Sequence, residues 1–149
     1  MARPLTAEDA RQSLHDHVTA RGLDLRAKYG PAIGWKELQA ILEDRAFVRY
    51  PCRVEFNAAT LGPGEFAYPD PVGARPEDGY VMAVHPIYMT QLAMVPFLVL
   101  YQLVLVNYGP FASAADAEAF GAAALGLDRE VYYRTVCELA DQLGGCDGD

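Results

Sequence analysis

Between Gly79 and Ala115 the chain carries no Asp, Glu, Lys or Arg, and His85 is the only titratable side chain there apart from tyrosines. Charged side chains are almost never fully buried unpaired, so a stretch this long without one belongs at the packed centre of a domain. Proline costs about 3 kcal/mol in a helix interior yet is tolerated in the first turn. Pro96 therefore opens a helix, Gly109 stops it and Pro110 blocks its continuation. The predicted element covers about Pro96–Tyr108 and is apolar all round, as suits a helix covered on every side. A membrane span is the competing reading. The longest uninterrupted apolar piece, Leu92–Tyr101, already contains Pro96 and ends at Gln102, and no Lys or Arg flanks it. A span needs about 20 apolar residues with interfacial anchors, so a buried core helix is the expectation.

Around this centre the pattern changes period several times. Thr6 with Asp9 forms a capping box that starts a helix running to about Ala20, with Leu14 and Val18 inward. Gly22 is expected to end or bend it before a short resumption over Leu23–Tyr29. A second helix is predicted at about Trp35–Asp44. Val48, Tyr50, Cys52, Val54 and Phe56 alternate with polar residues and Pro51, the mark of a half-buried edge strand. A short strand is expected at Glu65–Tyr68, then a proline-containing loop from Pro69 to Gly79. Tyr80–His85, apolar on both faces, reads as an inner strand.

Beyond the central helix, Ser113 and Asp116 make a second capping box for an alanine-rich helix reaching about Leu125. Asp128 opens the last helix, with Tyr132, Val136, Leu139 and Leu143 inward, and 145–149 is expected to be a loose tail. Strands grouped together and helices grouped together predict an α+β fold. The expectation is a small, mainly antiparallel sheet of about three strands on five or so helices, forming one domain over 1–149.

Composition narrows the functional classes. At 149 residues the chain buries roughly 68–70% of its unfolded surface. Three cysteines without a Cys-x-x-C pair favour reduced thiols, and the opening residues lack the apolar run of a secretory signal; both point to the cytoplasm. Residues 1–74 hold 9 basic and 10 acidic side chains, and residues 75–149 hold 3 and 10. So acidic a second half repels phosphate backbones, which argues against nucleic acid as a partner. It is compatible with a solvated surface or with a face that meets a protein partner or a second copy.

His85 is the first candidate for chemistry, because an imidazole can bind metal or move protons near neutral pH. It stands at the end of the predicted inner strand, where Glu65 could neighbour it, and Asp116 is a third possible metal ligand. The competing expectation is a histidine bonded to backbone that fixes the turn into Pro86. His15 and His17 lie on different faces of the first helix and read as surface residues. Cys52, on the apolar face of its strand, reads as an inert thiol. The polar groups of the central helix are Tyr101, Gln102, Asn107 and Tyr108. Unpaired when buried, each would cost about 1–3 kcal/mol. They must form an internal network or line a pocket near Tyr101, Tyr108 and His85.

The segment Asp116-Ala117-Glu118-Ala119-Phe120-Gly121, following a strand and a buried helix, resembles part of the small gluzincin-type zincin metallopeptidases. The resemblance covers about 80–125 and would put Asp116 in the place of the acidic third zinc ligand. In that family the central helix carries His-Glu-x-x-His. Here Tyr101, Gln102 and Leu105 occupy those places, so the resemblance implies a copy without the zinc ligands and without the general base.

Three functional readings follow. The foremost is a non-enzymatic binding or assembly domain, since no catalytic set is complete; no cofactor is implied by it. A second is a metal-dependent or acid/base enzyme centred on His85 with Glu65 and Asp116, which would take a divalent metal. The third is a small-ligand binder using Tyr101, His85 and Tyr108.

Overall fold

A computed structural model of the chain describes residues 6–144; the expected loose tail at 145–149, with Cys146, lies outside the described residues. The first element, α1 (Ala7–Tyr29), begins on the predicted capping box: Asp9 N–H donates to Thr6 Oγ1 at 3.1 Å and Thr6 N–H to Asp9 Oδ2 at 3.0 Å. It then continues through Gly22, which does not end it. Gly22 is buried and marks the place where α1 meets α4 (Ala114–Leu125), its most extensive packing partner. A Cβ at position 22 would stand 2.7 Å from the Phe120 carbonyl oxygen and 2.8 Å from Ala123 Cβ. The glycine is there for close approach, and the small side chains of α4 supply the other half of the contact.

A short helix, α2 (Trp35–Leu42), precedes the sheet. The strands are β1 (Cys52–Phe56), β2 (Ala67–Pro71) and β3 (Tyr80–Val84), in spatial order β1-β3-β2. The α+β architecture is as expected. The sheet, however, is mixed, because β1 pairs parallel with β3 while β2 pairs antiparallel with it. The inner position of β3 matches its apolar sequence.

Strand boundaries differ from the pattern: β1 begins at Cys52 and not Val48, β2 covers Ala67–Pro71 and not Glu65–Tyr68, and β3 ends at Val84, one residue before His85. Val48–Tyr50 lie outside β1, because the Arg49 N–H and the Phe47 carbonyl bond the side chain of Asn107 in place of a strand ladder. In turn, β2 extends to Pro71 through residues that read as loop-forming. His85 N–H donates to Phe66 O and Val72 N–H to Gly79 O, so residues 66 and 72 face β3 with their hydrogen-bonding groups. By the alternation of an antiparallel ladder, Pro69 and Pro71 occupy the positions whose N–H would point to the free edge, where proline forfeits nothing.

The central helix, α3 (Val95–Tyr108), has Pro96 in its first turn and stops at Gly109, whose φ is +64°. It packs against α2, β2, β3, α4 and α5 (Arg129–Asp141), and none of its residues is exposed. Leu92–Phe111 is long and apolar enough to cross a membrane by length and composition, but half of its most apolar window is buried by the rest of the chain. Buried tyrosines tie the helices to this core. Tyr132, lying where Gly121 lacks a side chain, donates to the Phe97 carbonyl at 2.7 Å, and Tyr88 to that of Leu139 at 2.6 Å. Burial pushes the Tyr88 phenol up to about 12.

The α1–α4 contact generates a prediction whose sign is informative. Replacing glycine by alanine inside a helix ordinarily stabilises by about 1 kcal/mol. At Gly22 the added methyl overlaps backbone, so Gly22→Ala should destabilise by about 1–3 kcal/mol. Urea denaturation decides: a lowered midpoint is expected, and a raised one would mean the two helices are not in close contact.

Candidate functional site

Of the residues expected to carry chemistry, His85 and Glu65 do come together, lining one recess of about 400 Å³ with Ala58, Leu61 and Leu143. The geometry is that of a turn. His85 Nδ1 accepts from the Ile87 N–H at 3.2 Å, which caps the helical turn beginning at Pro86. Glu65 Oε1 accepts from the Gly62 N–H at 2.7 Å.

Asp116 stands elsewhere. It is a buried carboxylate that accepts from the Ser113 N–H at 2.9 Å, and its other oxygen lies 3.4 Å from His15 Nδ1 on α1. The two line a separate recess of about 310 Å³ with Glu8, Arg11 and Phe111. So His15 is half-buried against a carboxylate and is not a bare surface residue. Among the described residues no three His, Cys, Asp or Glu side chains are grouped to hold a metal ion. Cys52 is half-buried, and burial raises its thiol to about 11, which keeps it protonated at neutral pH.

Tyr101 and Tyr108, expected to share a pocket with His85, do not line its recess. Tyr101 is half-buried with Phe66 edge-on at 5.9 Å; burial raises its phenol, and Glu118, Tyr133 and Cys137 add to the rise. Tyr108, at the C-terminal end of α3, lines a different recess of about 240 Å³. The other walls come from α1 (His17, Arg21), the loop between α2 and β1 (Arg45, Ala46, Phe47, Arg49) and the buried Phe120. No carboxylate lines it. Three arginines thus line it within a chain of net charge −8, though Arg45 also borders a second recess with Glu43 and Asp78, and Arg49 a third with Tyr50 and Tyr80.

Each guanidinium is partly engaged. Arg21 lies 4.6 Å over the Phe47 ring, bonds Asp24 at 3.0 Å and caps the Ala46 carbonyl at 2.5 Å. Arg45 donates to Leu42 O at 3.0 Å and Val48 O at 3.4 Å, and Arg49 to Asn107 O at 3.3 Å. Among the described residues neither Arg45 nor Arg49 has an ion-pair partner. His17 meets the Tyr108 ring edge-on at 5.6 Å. Burial raises the Tyr108 phenol against the pull of Arg21 and Arg49, so its hydroxyl keeps its proton at neutral pH.

Two anchors hold the loop that supplies Arg45, Ala46, Phe47 and Arg49. Asn107, buried on α3, accepts from the Arg49 N–H at 2.8 Å and donates to Phe47 O at 2.8 Å. Asp44 accepts from Lys28 at 2.6 Å and Tyr29 at 2.7 Å, both on α1, and from the Ala46 N–H at 2.9 Å. The Lys28 bond, then the Tyr29 and Ala46 bonds, lower the Asp44 carboxyl to about 2.

His17, Arg21, Arg45 and Arg49 are missed by motif reasoning, which looks for residues close in sequence. The available signal is the concentration of basic residues in the first half of the chain. No protein-family model matches the chain, and no curated protein or solved structure matches it.

The Asp44 anchor predicts a pH dependence. A folded carboxyl near 2 against about 3.9 in the unfolded chain stabilises the fold fully above about pH 4. That contribution is lost as pH falls toward 2. Asp44→Asn should therefore be less stable than the parent at pH 6, and the gap should shrink in denaturation experiments as pH drops from about 4 to 2. A gap that is constant across that window would mean the carboxylate is not held in this way.

Proposed function

We propose that this chain is a binding domain, not an enzyme, and that its ligand occupies the recess between α1, the α2–β1 loop and the end of α3. The carrying observation is the lining itself: donor groups and aromatic faces from four segments meet there with no Ser, Thr or Cys and no carboxylate among them. Such a surface can hold and orient a small molecule, but it offers no paired groups for acyl, phosphoryl or hydrolytic chemistry. This reading keeps the small-ligand idea attached to Tyr108 and moves it away from His85 and Tyr101. At about 240 Å³ the recess suits a compact ligand.

The test is a small-molecule screen by thermal shift, covering anionic, neutral and cationic compounds, with every stabilising compound mapped by amide chemical shifts. At least one should raise Tm and move the amides of residues 45–49 and 107–108. Stabilising compounds that all map to the His85 recess, or turnover that depends on His85, would overturn the reading.

One observation favours a second reading, assembly with another copy of the chain. Phe111 is 85% exposed and forms one wall of a recess of about 440 Å³ shared with Leu14, Tyr50, Pro76 and Tyr80, and with Arg49 and Tyr108 of the ligand recess. A projecting ring beside a recess on one face is the self-complementary arrangement that a two-fold interface requires. Light scattering should then report a dimer that Phe111→Ser converts to monomer; a strict monomer at high concentration removes this reading.

A further inference from the structure

The geometry points to a phosphate group, free or carried on a small ester, as the part of the ligand that sits among Arg45, Arg49 and His17 in the Tyr108 recess. This inference rests on the binding-domain reading and adds the chemical class. Charge is the first argument. A guanidinium cannot lose its proton, so Arg45 and Arg49 bring two positive charges to this wall whatever the pH. Among the described residues no ion-pair partner neutralises either one, and the recess contains no carboxylate. Arg21 contributes less, because Asp24 already balances it.

The second argument is the number and placement of donors. A guanidinium has five N–H groups. The hydrogen bonds of Arg45 and of Arg49 are all made through Nη1, and the Arg49 guanidinium also lies 5.6 Å over the Tyr50 ring; the remaining N–H groups of each fork have no hydrogen-bond partner among the described residues. The Tyr108 hydroxyl has no hydrogen-bond partner among the described residues and retains its proton to donate. These donors come from the loop and from α3, with the His17 imidazole facing them from α1. A carboxylate, being planar, is satisfied by one fork. Several acceptor oxygens arranged tetrahedrally, with close to two negative charges, match donors on several walls.

A third point concerns what the arginines would otherwise be for. Their carbonyl bonds stabilise the loop, yet a lysine or a neutral amide could supply those bonds. Repulsion between the two unpaired guanidinium groups, Arg45 and Arg49, is a cost that an anionic ligand removes.

The experiment is a titration of the full chain with inorganic phosphate at constant ionic strength, followed by amide chemical shifts and calorimetry. Parallel arms use phenyl phosphate, a monoester, and malonate, a dicarboxylate. Two variants report on the site: Arg45→Gln/Arg49→Gln removes the charges. Ala46→Glu leaves both guanidinium groups in place and sets a carboxylate at the exposed rim. Circular dichroism checks that each is folded.

Phosphate or phenyl phosphate should move the amides of 45–49 and 107–108, and Ala46→Glu should weaken binding at least about tenfold. Tighter binding of inorganic phosphate identifies the free ion as ligand, and tighter binding of phenyl phosphate an ester. Malonate binding as tightly as either, or phosphate affinity unchanged by Ala46→Glu, overturns the inference. A neutral compound that shifts the same amides when phosphate shifts none also overturns it, while leaving the binding-domain reading intact. Should no compound of any charge reach these amides, both fail.

Discussion

A helix of 14 residues with no exposed position has to be surrounded before anything else in the chain can settle. Burying α3 removes a large apolar surface from water, and each neighbour is placed by its contribution to that cover. The sheet offers β2 and β3, the C-terminal half offers α4 and α5, and α2 closes another side. α4 then has its outer face to cover, and α1 does so at Gly22, where main chain meets small side chains. The order of assembly in space thus radiates from one uncharged stretch. Two of its polar members, Asn107 and Tyr108, fall at the end of the helix, which is where a recess forms.

Much of this is legible in the amino-acid sequence because local chemistry decides it. Thr6 with Asp9 and Ser113 with Asp116 form the capping boxes their spacing calls for, and Pro96 and Gly109 bracket α3. What is not legible depends on partners distant in the chain. Gly22 reads as a helix stop until α4 is seen lying against it. Val48 and Tyr50 alternate like strand residues, yet Asn107, nearly sixty positions on, takes the backbone groups a ladder would need. The parallel pairing of β1 with β3 cannot be read from alternation, which is the same for either direction.

The candidate site was less legible than the fold, for the same reason in stronger form. Its walls come from positions 17–21, 45–49, 107–108 and 120, none of which forms a motif alone. Arg45 and Arg49 sit on a loop whose shape is held from outside by Asp44 on one side and Asn107 on the other. The sequence pattern draws attention to His85, an isolated imidazole in an uncharged run. In the structure that imidazole is occupied with the turn into Pro86.

The prolines of β2 have a consequence beyond their own strand. A three-stranded sheet in the order β1-β3-β2 leaves two rims open, and open rims invite foreign strands to dock and seed fibres. Along β2 the outward-facing nitrogens at 69 and 71 bear no hydrogen, so an incoming strand finds acceptors without the matching donors. On the opposite rim, Arg53 and Glu55 put charge on β1. A chain so rich in apolar residues thereby keeps its sheet from growing, a safeguard written in the same residues that make β2 look like a loop.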